Sequence, residues 1–96
     1  MKIAVASLGK DTKSEVSPQA GRAPYYLIFE DDKLVEIWKN VFSTGGGGAG
    51  PAVAKIMSDK KVKKIISTKL GEKMEAALIE KGIDFEEKSG VIENIL

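Results

Sequence analysis

The run Ile3-Ala4-Val5-Ala6 is apolar at every position, and polar residues begin only at Ser7. Side chains alternate between the two faces of a strand, so a run apolar on both faces belongs in the middle of a sheet. Ile3 to Ser7 is therefore expected as a buried central strand. Leu8 to Pro24 follows as a long polar loop with two glycines and two prolines. Loops of that length in a small domain are often functional.

Tyr25 to Glu30 is rich in aromatic and β-branched residues and reads as a strand. Asp31-Asp32-Lys33 is a turn, and Leu34 to Asn40 is the next strand, close enough for an antiparallel hairpin. Val41 to Gly50 is a second long loop ending in Thr44-Gly45-Gly46-Gly47-Gly48-Ala49-Gly50. Pro51 suits the first turn of a helix, where its missing N–H is not needed. Ala52, Val53, Ile56 and Met57 share one face of that helix, which runs to about Asp59. Val62 to Ser67 is a fourth strand, and Thr68 to Gly71 is a turn. Glu72 to Lys81 is a helix with Met74, Ala77 and Leu78 inward, acidic residues in its first turn and Gly82 as its stop. Ile83 to Glu86 is a half-buried or edge strand. Ser89-Gly90 opens a last short segment, Val91 to Leu96, helical at most.

The order β-β-β-α-β-α-β predicts an α/β fold with a mixed five-stranded sheet and one antiparallel strand, spread over residues 1–96 as a single domain. With the first strand central, the first, third, fourth and fifth strands end at one edge of the sheet. The loops after them all meet there, and ligands of open α/β sheets bind at the carboxyl ends of strands.

Composition narrows the chemistry. The chain has 15 Lys plus Arg against 14 Asp plus Glu, a net charge of +1, which argues against nucleic acid as a partner. It contains no Cys and no His. Disulfides, thiolate nucleophiles, thiolate metal sites and a near-neutral general base are therefore excluded. The apolar start is too short for a signal peptide or a membrane span, so a cytoplasmic location and no membrane partner are expected. Charged residues make up 30% of the chain, a pattern shared with heat-adapted proteins.

Ser17-Pro18-Gln19-Ala20-Gly21-Arg22-Ala23-Pro24-Tyr25 resembles the S-x-H-F-G-R-A-P-Y signature of the dinitrogenase iron–molybdenum cofactor biosynthesis family. Asn40 followed by Gly45 to Gly50 resembles that family's Asn and H-G-x-C-G-A-G segment, and Ser89-Gly90-Val91 resembles its closing turn. The resemblance runs in order over nearly the whole chain. It implies a three-layer α/β/α arrangement with a ribonuclease H-like motif. It also implies a nitrogenase accessory-like role in holding an iron–molybdenum or iron–sulfur cluster precursor. Gln19 stands where the signature has His, Ala20 where it has Phe, and the His and Cys of the glycine-rich segment are replaced. Iron-based clusters take thiolate or imidazole ligands, so the resemblance carries over the fold and the site's location but no metal ligand.

The candidate binding residues are Gly21, Arg22, Gly45, Gly46, Gly47, Gly48, Thr68, Lys69, Ser89 and Gly90. Successive N–H groups in glycine-rich turns can form a nest for an anion, and a following helix start adds its dipole. No Lys-Ser/Thr pair follows the last glycine, so the segment is not a Walker P-loop. Arg22, the only arginine in the chain, can grip an oxyanion in two-pronged fashion or can cap loop carbonyls.

Two functions stand. One is a binding or carrier module for a small anionic ligand or a preassembled metal cluster. The other is a protein-interaction or regulatory domain whose loop edge docks a partner. An enzyme is not expected. The first strand lacks the acidic residues a ribonuclease H-type nuclease needs, and Ser7 and Ser89 have no base to activate them.

Overall fold

Five strands in the computed structural model, which describes residues 1–44 and 48–96, form one sheet. They are β1 (Lys2–Ser7), β2 (Tyr25–Glu30), β3 (Lys33–Lys39), β4 (Val62–Ser67) and β5 (Asp84–Glu87). The sheet order is β3-β2-β1-β4-β5. β2 runs antiparallel to both neighbours, while β1 and β4 pair parallel, as do β4 and β5. The fold is thus α/β with a mixed sheet and β1 at its centre, as its apolar character requires.

Among the described residues the helices are α1 (Ala49–Asp59), α2 (Glu72–Glu80) and α3 (Ile92–Ile95). The alternation of β1 sorts its side chains. Ala4 and Ala6 face a core shared with Tyr26, Ile28 and Ile65, packed beneath Val53, Met57, Met74 and Leu78 of α1 and α2. Small residues at the sheet's centre let both helices sit close. Val5 faces the other way, with Leu27, Phe29 and Ile66, under Val16 and Ile92. That second face is covered by a loop and by the four residues of α3. Each fully buried Leu, Ile or Val side chain contributes about 1.5–3 kcal/mol, so both faces matter to stability.

Two helical expectations shift. α1 begins at Ala49, two residues before Pro51, because Gly48 takes a left-handed φ of 88° and starts the turn there. Its buried residues are Ala49, Val53, Ala54 and Met57, whereas Ala52 and Ile56 are only half-buried. The stripe rotates because α1 must pack against α2 as well as the sheet. Gly50 is the close point of that contact: a Cβ there would lie 2.8 Å from Met74 Cβ.

The β2–β3 hairpin turns through Asp31 (φ 50°) and Asp32 (φ 69°), the positive pair that suits the strands' twist. A register shift between Ile28 and Phe29 marks an irregularity in the β2–β3 ladder.

Candidate ligand-binding cleft

The strand directions put the loops after β1, β3 and β4 at one end of the sheet. A cluster of buried polar groups then ties those loops together. Asn40, 1% exposed, immediately follows β3. Its Nδ2 donates to Gly21 O at 3.1 Å and Ala23 O at 2.8 Å, and its Oδ1 accepts from Phe42 N at 2.9 Å. One amide side chain therefore clasps the Gly21-Arg22-Ala23 turn to the loop after β3. Arg22 Nη1 donates to Phe42 O at 3.3 Å across the same junction.

On the other side, Ser67 Oγ reaches both Ser17 O and Lys69 O at 3.2 Å. Thr68 N donates to Ser17 O, and Ala20 N donates to Lys69 O, each at 3.1 Å. The Tyr26 hydroxyl, wholly buried in β2, donates to Ala20 O. Burial pushes the pKa of that hydroxyl far above its ordinary value, so it remains a neutral donor. No buried side-chain nitrogen or oxygen among the described residues lacks a partner. The loops are thus set by satisfied bonds.

These ties frame an open cleft of about 640 Å3. Gly21 and Arg22 form one wall, Gly48 and Gly50 at the start of α1 a second, and Lys69, Gly71 and Lys73 a third. Gly21 permits the approach of the first two walls, since a Cβ there would lie 3.1 Å from Gly50 N. Among the described residues neither α1 nor α2 has a side-chain cap at its N-terminus, and Pro51 in the first turn of α1 carries no N–H. Arg22, Lys69 and Lys73 bring positive charge to the lining, and Glu72 brings a carboxylate. The geometry suits an anion of small-molecule size.

Gly21, Arg22, Gly48 and Lys69 all line this cleft. Gly45, Gly46 and Gly47 lie outside the described residues. Thr68, Ser89 and Gly90 do not line the cleft. Thr68 spends its N–H on Ser17 O. Gly90 O accepts from Val16 N at 2.9 Å, and Glu15 bridges to Val91, so the Ser89-Gly90 turn joins the α3 side of the sheet. The chain after β5 crosses to the opposite face, which strand order alone does not reveal. Gly71, Lys73, Asn40 and Tyr26 were not among the expected site residues. Gly71 and Lys73 flank Glu72 at an expected helix start, the one signal that could have marked them. Tyr26 was expected as sheet-face packing, and its ring does lie 6.0 Å from that of Trp38. The reach of its hydroxyl to Ala20 had no sequence signal.

Sheet, clasped loops and cleft define a small α/β domain with a ligand-sized opening at the carboxyl ends of its strands. The chain belongs to the dinitrogenase iron-molybdenum cofactor family, whose model matches residues 1–96. It is similar to the apo form of the orange protein from Desulfovibrio gigas and to a NifB-like protein from Thermotoga. For the orange protein the TM-score is 0.86 at 24% identity, over 98% of this chain and 82% of that one. For a NifB-like protein from Thermotoga it is 0.81 at 27% identity, over 97% of this chain and 81% of that one. No match is found among curated proteins.

Proposed function

We propose that this chain is a binding or carrier domain that holds a small anionic ligand, or a metal-cluster precursor assembled elsewhere, in the cleft. The observation that carries this is convergence: three separate chain segments bring Arg22, Lys69, Lys73 and the starts of α1 and α2 to one opening. The family points to cluster chemistry, but the residues present do not fit cluster ligation. The chain has no Cys or His, no group of three or more candidate ligands occurs among the described residues, and Met74, the one soft group in the lining, is 2% exposed. A cluster could be held here only as a whole anion, through hydrogen bonds and charge.

We read the domain as a non-enzyme working in the cytoplasm. The chain offers neither Ser7 nor Ser89 a His to activate it. No described helix is long and apolar enough to cross a membrane. We also take the strand order β3-β2-β1-β4-β5 as support for the ribonuclease H-like, three-layer arrangement that the family resemblance implies.

Docking of a protein partner on the loop edge is the second reading, favoured by Val41, which stands 70% exposed beside the clasp. Amide shifts under titration with simple anions separate the two. Binding predicts changes confined to residues 21–22, 48–50 and 69–73, weakened in Arg22→Ala. If anions leave those amides unmoved and a partner protein orders them, the docking reading replaces this one.

A further inference from the structure

β3 is the outermost strand on one side of the sheet, paired with β2 alone among the described residues. Its register fixes where its side chains stand. Ile37 lies opposite Leu27 and Leu34 opposite Phe29, so both belong to the sheet face that α3 covers farther in. Neither is covered: Leu34 and Ile37 are exposed, and so is Val35 between them. An edge strand with unpaired main-chain groups is normally guarded by a charge along its length. Here the central charge is drawn away, because the Glu36 carboxylate is paired with Lys60 at the end of α1. The positive charges that remain stand at the two ends of the strand. Lys33 and Lys39 are exposed, and neither is held in an ion pair among the described residues. Lys39 lies opposite Tyr25, and Lys10 Nζ sits 5.6 Å from the centre of the Tyr25 ring. The edge therefore shows an apolar middle between two cationic ends, with a second ammonium group near one of them.

Such an edge takes another strand by main-chain hydrogen bonds, and its side chains select which strand. We propose that β3 binds an extended segment of a partner protein as a sixth strand, antiparallel to itself, with apolar residues in the middle of the segment and a carboxylate at each end. The apolar residues pack beside Leu34 and Ile37. The carboxylates meet Lys33 at one end and Lys39 with Lys10 at the other. Opposite charges across paired strands fix direction and register more than they add affinity, and the antiparallel arrangement is the more stable per residue. A second copy of this chain matches less well, since two β3 strands laid antiparallel about Glu36 oppose Lys33 to Lys39. No residue of β3 lines the cleft, so this edge and the cleft are separate surfaces.

The test titrates the full chain with three synthetic heptapeptides. One has glutamate at both ends of a middle of valine and threonine, the second has lysine at both ends instead, and the third is the glutamate peptide with proline at its centre. Backbone amides and the fluorescence of Trp38, the single tryptophan, follow binding. The glutamate peptide is expected to move the amides of residues 33–39. It should bind about tenfold tighter than the lysine peptide in low salt, with the gap narrowing as salt rises. The proline peptide lacks a central N–H and should bind about tenfold more weakly than its parent, or less. Lys33→Glu combined with Lys39→Glu should reverse the preference between the glutamate and lysine peptides, a result that misfolding does not produce. If the glutamate peptide leaves β3 unmoved, or moves residues 21–22, 48–50 and 69–73 instead, β3 is not the docking strand and the proposal falls. If the glutamate and lysine peptides bind alike, or the charge reversal leaves the preference unchanged, the acidic occupant is wrong. If the free chain dimerises with its β3 amides protected, the occupant is a second copy and the proposal is overturned.

Discussion

The two ends of the sheet are built from different materials. At the amino end, the connections are tight: Asp31-Asp32 closes one hairpin, and Lys61, with a φ of 65°, turns α1 into β4. What holds that end is charge on the surface. The N-terminal amine lies 3.3 Å from Asp31, and Lys60 lies 2.5 Å from Glu36. At the carboxyl end, the connections are long, and what holds them is buried. Ser7, Ser17, Ser67 and Asn40 are the buried polar side chains of the described residues, and all sit there. Short turns need little beyond their own backbone geometry. Long loops that must keep a cleft open need internal partners for their carbonyls, and the low dielectric of the interior makes those partners count.

The largest break in this contrast should come from Asn40→Ala, which strands two loop carbonyls and one N–H. A loss of about 3 kcal/mol in urea unfolding is expected, with faster amide exchange near Phe42. A loss below about 1 kcal/mol would mean that the clasp is not what orders the carboxyl end.

Tyr26→Phe should follow, at about 1 kcal/mol, because Ala20 O loses its hydroxyl donor and keeps only the longer bond from Ala23 N at 3.3 Å. This variant also sharpens the comparison through pH. The folded pKa of Tyr26 is raised, so its contribution is complete below the ordinary value of 10.0 and is lost as pH rises beyond it, when only the unfolded tyrosine ionises. The parent chain should lose stability in alkali more steeply than Tyr26→Phe does in thermal melts.

At the amino end, Lys60→Ala should cost under about 1 kcal/mol and less in high salt, since Lys60 and Glu36 are both part-exposed. An effect as large as that of Asn40→Ala would erase the distinction between the two ends.

The smallest effect belongs to Glu86, on the outer strand. A hydrogen bond from Lys64, then a weaker one from Lys88, holds its carboxyl below the ordinary value of 4.5. A lowered folded pKa gives stability that is present above that value and lost as pH falls through the folded one. Glu86→Gln should flatten this acid loss slightly in low-salt melts and leave neutral stability nearly unchanged. An unaltered acid limb would show that the Lys64–Glu86 pair does not matter to folding.

The sheet and the gathering of loops were legible because they depend on apolar runs and connection lengths. β2 and β4 fall where their β-branched residues predict, and β1 sits centrally because it is apolar on both faces. Gly48 and Lys69 were legible as cleft residues because one lies just before a helix and the other just past a strand, whereas Gly21 and Arg22 were legible through the family signature and, for Arg22, through its being the only arginine. Other features depend on contacts between distant segments. Asn40 carries a family resemblance but no local sign of the three bonds it makes. Arg22 was expected to grip an oxyanion or cap carbonyls, and its bond to Phe42 O shows it performing the second task at least. Ser89 and Gly90 were placed with the other loops because β5 points their way. The pairing of Glu15 with Val91 carries that turn to the other face instead.

The outermost position of β3 carries its own consequence. One side of this strand is bonded to β2 and the other pairs with no strand among the described residues, flanked by Leu34, Val35 and Ile37 at 39%, 53% and 46% exposure. Such a strand is a template for chain-to-chain pairing and for aggregation. Lys33, Glu36 and Lys39 interrupt the apolar residues, and two copies laid antiparallel about Glu36 would set carboxylate against carboxylate and Lys33 against Lys39. Resistance to edge-to-edge pairing therefore falls to charges on β3 that take no part in the cleft, with Glu36 already paired to Lys60.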